Sequence, residues 1–215
     1  MFVGERMNRP VISVSPETPV NDALHLMRSE HIRRAPVVSH GKLVGIVSMK
    51  DLLNASPSNA TTLSVWELNY LLSKLTVERT MTREVFTVAE DTPIEEAARL
   101  MADKRVGGLP VVRGGEVVGM ITETDLFKIF LELMGARDAG IRCEVRMRDE
   151  PGQLASLTGA LAGAGGNIIA LGTFAGESPG HSIVTFKVSG LTPDEVRALI
   201  TPVVESVTDV RVTHP

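Results

Sequence analysis

Gly45-Ile46-Val47-Ser48-Met49-Lys50-Asp51 returns, 74 residues on, as Gly119-Met120-Ile121-Thr122-Glu123-Thr124-Asp125. Each run passes from apolar residues to a hydroxyl and then to an aspartate three positions later. Outward from it, the same offset relates Pro36-Val37-Val38 to Pro110-Val111-Val112 and Met27 to Met101. It also relates Thr18-Pro19 to Thr92-Pro93, and Met7-x-Arg9-x-Val11 to Met81-x-Arg83-x-Val85. No gap is needed. A block of about 50 residues is therefore present twice, and two such units share one core. Nothing beyond the neighbourhood of Leu126 repeats, so a different third unit follows.

Each copy reads as β-α-β-β-α. Residues 11–14 and 85–88 are short extended pieces. Thr18 and Thr92 stand at helix N-caps with Pro19 and Pro93 in the first helical position, and Glu95 completes a capping box in the second copy. Val20, Ala23, Leu24 and Met27, like Ile94, Ala97, Ala98 and Met101, recur at helical spacing and form a core stripe. Strands over 35–38 and 109–112 follow, then glycine turns at Gly41 and Gly114-Gly115. Second strands over 43–47 and 117–121 lead into helices opening at Ser48 and Thr122.

A hydroxyl at such a strand-to-helix junction lies where free N–H groups and the helix dipole favour an anion. The aspartate one turn on, Asp51 or Asp125, can accept from a ribose diol. Taken locally, the same residues also make a plain helix cap. The two Pro-Val-Val strands and the two Gly-h-h-[Ser/Thr]-x-x-Asp runs together resemble a tandem CBS pair, a Bateman module, over about residues 7 to 130. That resemblance implies adenosine ligands (AMP, ADP, ATP or S-adenosylmethionine) in clefts between the repeats, held at Ser48, Asp51, Thr122 and Asp125. It also implies that Arg33 and Arg34, just before Pro36, reach phosphate, to which guanidinium forks are suited. Gly107 and Gly108 stand at the equivalent place, so two unequal clefts are expected. Ser13 and Thr87 hold the position that borders adenine in such pairs.

Between the repeats, residues 54–62 read as a loop. Ser64-Val65-Trp66-Glu67 then opens a helix whose Leu68, Leu71, Leu72 and Leu75 form a stripe, with Trp66 and Tyr70 alongside, to pack on its own module or on a second copy. Beyond a hinge at 136–140 the pattern becomes β-α-β-β-α-β, a ferredoxin-like sandwich. Strands fall at 141–147, 168–175, 182–188 and 207–212, with helices after Gly152 and at 192–200. Asp149-x-Pro151-Gly152-x-Leu154 with Gly166-Asn167-Ile168 resembles an ACT domain. This implies an amino acid or small carboxylate at Gly152, Gln153, Leu154, Asn167 and Ile168, in a pocket completed by a neighbouring subunit. The fold class is thus α/β (α+β). The expected layout is repeat 1 at 1–61, a linker helix at 62–80, repeat 2 at 81–135, the hinge, and the ACT unit at 141–215. The whole order resembles the bacterial acetoin-utilisation protein B type.

A net charge of −4 with both signs interspersed offers no nucleic-acid footprint. The single cysteine, Cys143, excludes an internal disulfide and reads as a packed thiol. Residues 1–10 have no apolar core for a signal peptide, and the most apolar stretch, 160–175, is too broken by glycine to span a bilayer. A cytoplasmic setting follows. The five histidines lack metal spacing, and no P-loop, dinucleotide fingerprint or nucleophile-base motif is present, so no enzyme and no required cofactor is expected. Two functions remain: a nucleotide-sensing regulatory protein, a homodimer with or without a partner enzyme, or a ligand-free dimerisation and docking subunit for a metabolic enzyme.

Overall fold

The computed structural model describes residues 1–55, 75–176 and 178–214. The predicted linker helix around Trp66 and Tyr70 lies outside these residues. The chain divides into two compact units, Met1–Leu126 and Phe127–Pro215.

In the first unit, one repeat holds α2 (Val20–Ser29), β1 (Arg34–Ser39), β2 (Lys42–Ser48) and α3 (Met49–Ala55). The other holds α4 (Ile94–Lys104), β3 (Gly108–Arg113), β4 (Glu116–Thr122) and α5 (Glu123–Leu133), which runs on into the second unit. A short helix α1 (Val3–Arg6) precedes them. β1–β2 and β3–β4 are antiparallel hairpins with a bulge at the same place, Val37/Val38 and Val111/Val112. Their turns need two successive residues at positive φ. His40 and Gly41 supply one pair (49° and 79°), Gly114 and Gly115 the other (59° and 90°). The predicted leading strands shrink to single parallel bridges, Val14 to Val37 and Val88 to Val111.

The two repeats exchange their leading segments. Asn8 bridges to Met120 while Thr82 bridges to Ile46, and Phe2 bridges to Pro93 while Thr76 bridges to Pro19. Gly45 and Gly119 explain why this fits: a Cβ on Gly45 would lie 2.6 Å from Sδ of Met81, and one on Gly119 would overlap Met7. Each methionine therefore lies on the bare backbone of the opposite repeat. The core around Met27, Val37, Val47 and Leu52 likewise takes in Val77, from the segment leading the other repeat.

The predicted caps differ. α2 and α4 begin one residue later than expected, at Val20 and Ile94, with Pro19 and Pro93 at N-cap and no side-chain cap; Glu95 closes no capping box. The hydroxyls of Thr18 and Thr92 instead accept from the N–H of Ser15 and Ala89, both at 3.1 Å. The orphan first-turn donors find backbone partners, Val20 N–H on Leu75 O (2.9 Å) and Ile94 N–H on Met1 O (3.3 Å).

The second unit is β5 (Gly140–Arg148), α6 (Gln153–Gly163), β6 (Asn167–Ala175), β7 (His181–Ser189), α7 (Pro193–Ile200) and β8 (Ser206–Thr213). The sheet order is β6-β7-β5-β8, all antiparallel, the ferredoxin-like arrangement. Alternation along β5 sends Ile141, Cys143, Val145 and Met147 inward against Phe186, Leu157, Leu161, Val196 and Ile200. Burial pushes the Cys143 thiol up to about 12, as a packed thiol requires. On the opposite face, Lys187 is only 5% exposed. Its ammonium donates to Gly135 O (2.7 Å) and Asp138 O (2.9 Å), so the residues expected to hinge are gripped at the end of α5.

Candidate functional site

Ser48 ends β2 and caps α3. Its N–H (2.9 Å) and Oγ (2.6 Å) both donate to Oδ2 of Asp51, and Asp51 N–H donates back to Oγ at 3.2 Å. Thr122 and Asp125 repeat the arrangement at 2.9 and 2.6 Å. The two aspartates then diverge. Asn8 Nδ2 donates to the same Oδ2 of Asp125 at 2.7 Å, and Asp125 is buried, 7% exposed. The residue equivalent to Asn8 is Thr82, which cannot offer an amide, and Asp51 stays half-buried and lines a cavity.

That cavity encloses about 260 Å³ between the repeats. One wall is Arg34, Ile46, Ser48 and Asp51; the other is Thr82, Glu84, Val85 and Phe86 with Arg105 to Leu109. Hairpin β1–β2 positions Arg34, and the exchanged segment of the second repeat positions Thr82 to Phe86. Arg105 arrives because it ends α4 at φ 53°, the same left-handed turn that His31 makes (54°) at the end of α2. Lys104 lies 5.3 Å from the centre of the Phe86 ring, a cation–π contact that braces the aromatic side of the cleft.

Arg34 explains the glycines of the second repeat. Its Nη1 donates to Gly107 O at 3.1 Å. A Cβ on Gly107 would lie 2.6 Å from Cζ of Arg34 and 2.6 Å from Oε2 of Glu123. The side chain missing from one repeat leaves room for the arginine of the other.

Of the residues singled out from sequence, Ser48, Asp51 and Arg34 line this cleft together. Arg33 and Ser13 are exposed and Thr87 is half-buried, all three outside its lining; Thr122 and Asp125 form the equivalent pair in the other repeat. Sequence reasoning missed Arg105, Glu84, Phe86, Thr82 and Asn8. The 74-residue offset carried one usable signal, since it pairs Asn8 with Thr82 and His31 with Arg105.

In the second unit a cavity of about 890 Å³ is lined by the turn from Asp149 to Leu154, the end of β6 from Thr173 to Ala175, and the start of β7. Gly152 sits at φ 91° as the N-cap of α6, and the N–H of Gln153 donates within the turn to Glu150 O at 3.3 Å. Gly152, Gln153 and Leu154 meet here; Asn167 and Ile168 begin β6, eight residues from the end that lines the cavity. Arg148 Nε and His181 Nε2 approach Glu205 Oε1 at 3.6 and 3.2 Å beside it. Among the described residues no group of three His, Cys, Asp or Glu side chains could hold a metal ion, and no helix is long and apolar enough to cross a membrane.

The CBS domain family matches residues 3–58 and 77–132, and the TTHA0829-like ACT domain matches 139–211. Among solved structures, the CBS domain pair of protein MJ0100, in complex with 5′-methylthioadenosine and S-adenosyl-L-methionine, is 30% identical (TM-score 0.51), covering 60% of this chain and 95% of that one. CBSX2 in complex with AMP is 33% identical (TM-score 0.51; 61% and 97% covered). A putative acetoin utilization protein (AcuB) from Vibrio cholerae is 32% identical (TM-score 0.52; 64% and 98% covered). Curated relatives include an inosine-5′-monophosphate dehydrogenase of Korarchaeum cryptofilum, 36% identical over 120 residues, 55% of this chain and 22% of that protein. The chain spans from about a fifth to about half of the length of the first curated relatives it matches. A gapless duplication, a pair of exchanged hairpin repeats and a ferredoxin-like sheet thus have one common description: the chain belongs to the CBS domain family, as a tandem pair followed by an ACT domain.

Proposed function

We propose that this protein is a regulatory sensor that binds an adenosine compound (AMP, ADP, ATP or S-adenosylmethionine) in the cleft at Ser48 and Asp51. The observation that carries the reading is the lining of that cleft: one carboxylate suited to a ribose diol, and the guanidinium groups of Arg34 and Arg105 suited to phosphate. Relatives solved with AMP or with S-adenosyl-L-methionine support it. Asp125 is more buried than Asp51 and takes the further bond from Asn8 on Oδ2, so the first cleft is proposed to fill first. Arg33 belongs to the proposal as a phosphate-facing group beside Arg34, and Ser13 and Thr87 as adenine-bordering groups. An amino acid or small carboxylate at Gly152, Gln153 and Leu154, with Asn167 and Ile168 supplied by a neighbouring subunit, is the matching proposal for the ACT cavity. The protein acts in the cytoplasm as a homodimer, without catalysis or a required cofactor, and ligand biases it between two arrangements by binding one more tightly.

A second reading, a ligand-free dimerisation or docking subunit for a metabolic enzyme, is favoured by Phe127, Phe130 and Leu133, which stand exposed on α5. Thermal unfolding with AMP, ATP and S-adenosylmethionine in turn separates the two. Ligand at about 100 times Kd stabilises a one-site binder by about 2.7 kcal/mol. A raised Tm with any of them is the result expected of a sensor, and an unshifted Tm with all three, with no heat on titration, would leave the docking subunit.

A further inference from the structure

Resting on the nucleotide reading of the same cleft, we propose that Glu84 makes the site at Ser48 and Asp51 selective for adenosine compounds with at most one phosphate, and turns polyphosphates away. Two guanidinium groups, Arg34 and Arg105, and two carboxylates, Asp51 and Glu84, line the cavity, one of each on either wall. The carboxylates are not equivalent. Asp51 is engaged by Ser48, whereas Glu84 is exposed and forms no ion pair among the described residues. It is an uncommitted negative charge in the wall. Ser48 has little to offer in compensation, because its N–H and Oγ both point at Asp51. Part of Arg34 is engaged too, on Gly107 O and beside Oε2 of Glu123.

A first phosphate can draw on Arg34 and Arg105. Each further phosphate adds negative charge to a space of about 260 Å³, small against the ~300–1,000 Å³ of most ligand clefts, and meets Glu84 with no third cation among the described residues of the lining. The device belongs to this cleft alone: the equivalent of Glu84 in the other repeat is Pro10, which carries no charge.

The test is calorimetric titration of the full chain with adenosine, AMP and ATP, for the parent and for Glu84→Gln. Glu84 is exposed and unpaired, so the variant should melt with the parent. We expect AMP to bind the parent at least tenfold more tightly than ATP. In Glu84→Gln, ATP should come within about threefold of AMP, with adenosine unchanged. ATP binding the parent as tightly as AMP, or an AMP-to-ATP ratio unchanged by the substitution, would overturn the charge limit while leaving the cleft standing. No heat from any probe, adenosine included, would remove the cleft reading itself.

Discussion

Two aspartates with the same local sequence have different surroundings, and the cause is one residue at a distance. Asp51 and Asp125 each close a cap on the hydroxyl before them, but among the described residues only Asp125 takes a third bond to Oδ2, from Asn8. Asn8 thereby ties the leading segment of the first repeat to the last strand-to-helix junction of the second. Asn8→Ala should cost about 1–3 kcal/mol of stability, since a buried carboxylate loses a donor; urea unfolding checks this, and Thr82→Ala, at the exposed equivalent, should cost little. A second residue-scale consequence concerns pH. The Arg211 side chain, bonded to Asp209, holds that carboxyl below its usual range, and the Thr192 N–H does the same for Glu195. Folded pKa values below the unfolded ones stabilise above the ordinary carboxylate range, about 3.9–4.3. That stability is lost as pH falls below it. The urea midpoint of the protein should therefore fall on acidification from pH 5 toward 2, and Asp209→Asn should flatten the dependence.

At the scale of elements, one motif has two outcomes. Thr192-Pro193-Asp194-Glu195 forms a capping box, with Thr192 N–H donating to Glu195 at 2.8 Å. Thr92-Pro93-Ile94-Glu95 does not, because a tight turn in front of it supplies Ala89 N–H as a competing donor for the threonine hydroxyl, and backbone from outside the repeat caps the helix instead. Elements were legible because apolar periodicity is local; the caps were not, because their partners come from segments remote in sequence. The same holds for Gly107, whose bare Cα is understood only once Arg34 is seen against it. Lys187 is another case. Nothing near it in sequence marks a lysine for burial, yet it grips two carbonyls in the turn that follows α5. Lys187→Met should remove the ammonium from Gly135 O and Asp138 O, leaving Gly135 O with the Asp138 N–H alone, cost about 1–3 kcal/mol, and speed amide exchange over residues 134–139. Unchanged exchange there would mean that the turn is held by something else.

For the whole molecule, the duplication announced two equal units, and the fold is instead two units that each complete the other. Residues 1–6 serve the second repeat and residues 75–80 the first, through matched pairs such as Val3 N–H on Thr92 O and Val77 N–H on Thr18 O, both at 2.9 Å. Periodicity cannot express an exchange, since it reports which face of an element is apolar and not whose core it enters. The family and the three β-α frames were readable from motif and offset; of the cleft, Ser48, Asp51 and Arg34 were readable, while its opposite wall came only with the exchanged segment. The account's central claim is that this cleft binds an adenosine compound through Asp51. Calorimetric titration of AMP into the parent and into Asp51→Ala tests it most directly. The account predicts saturable binding to the parent, weakened at least tenfold in a variant that still unfolds cooperatively. Equal affinity in the two proteins, or no binding to the parent, would contradict it.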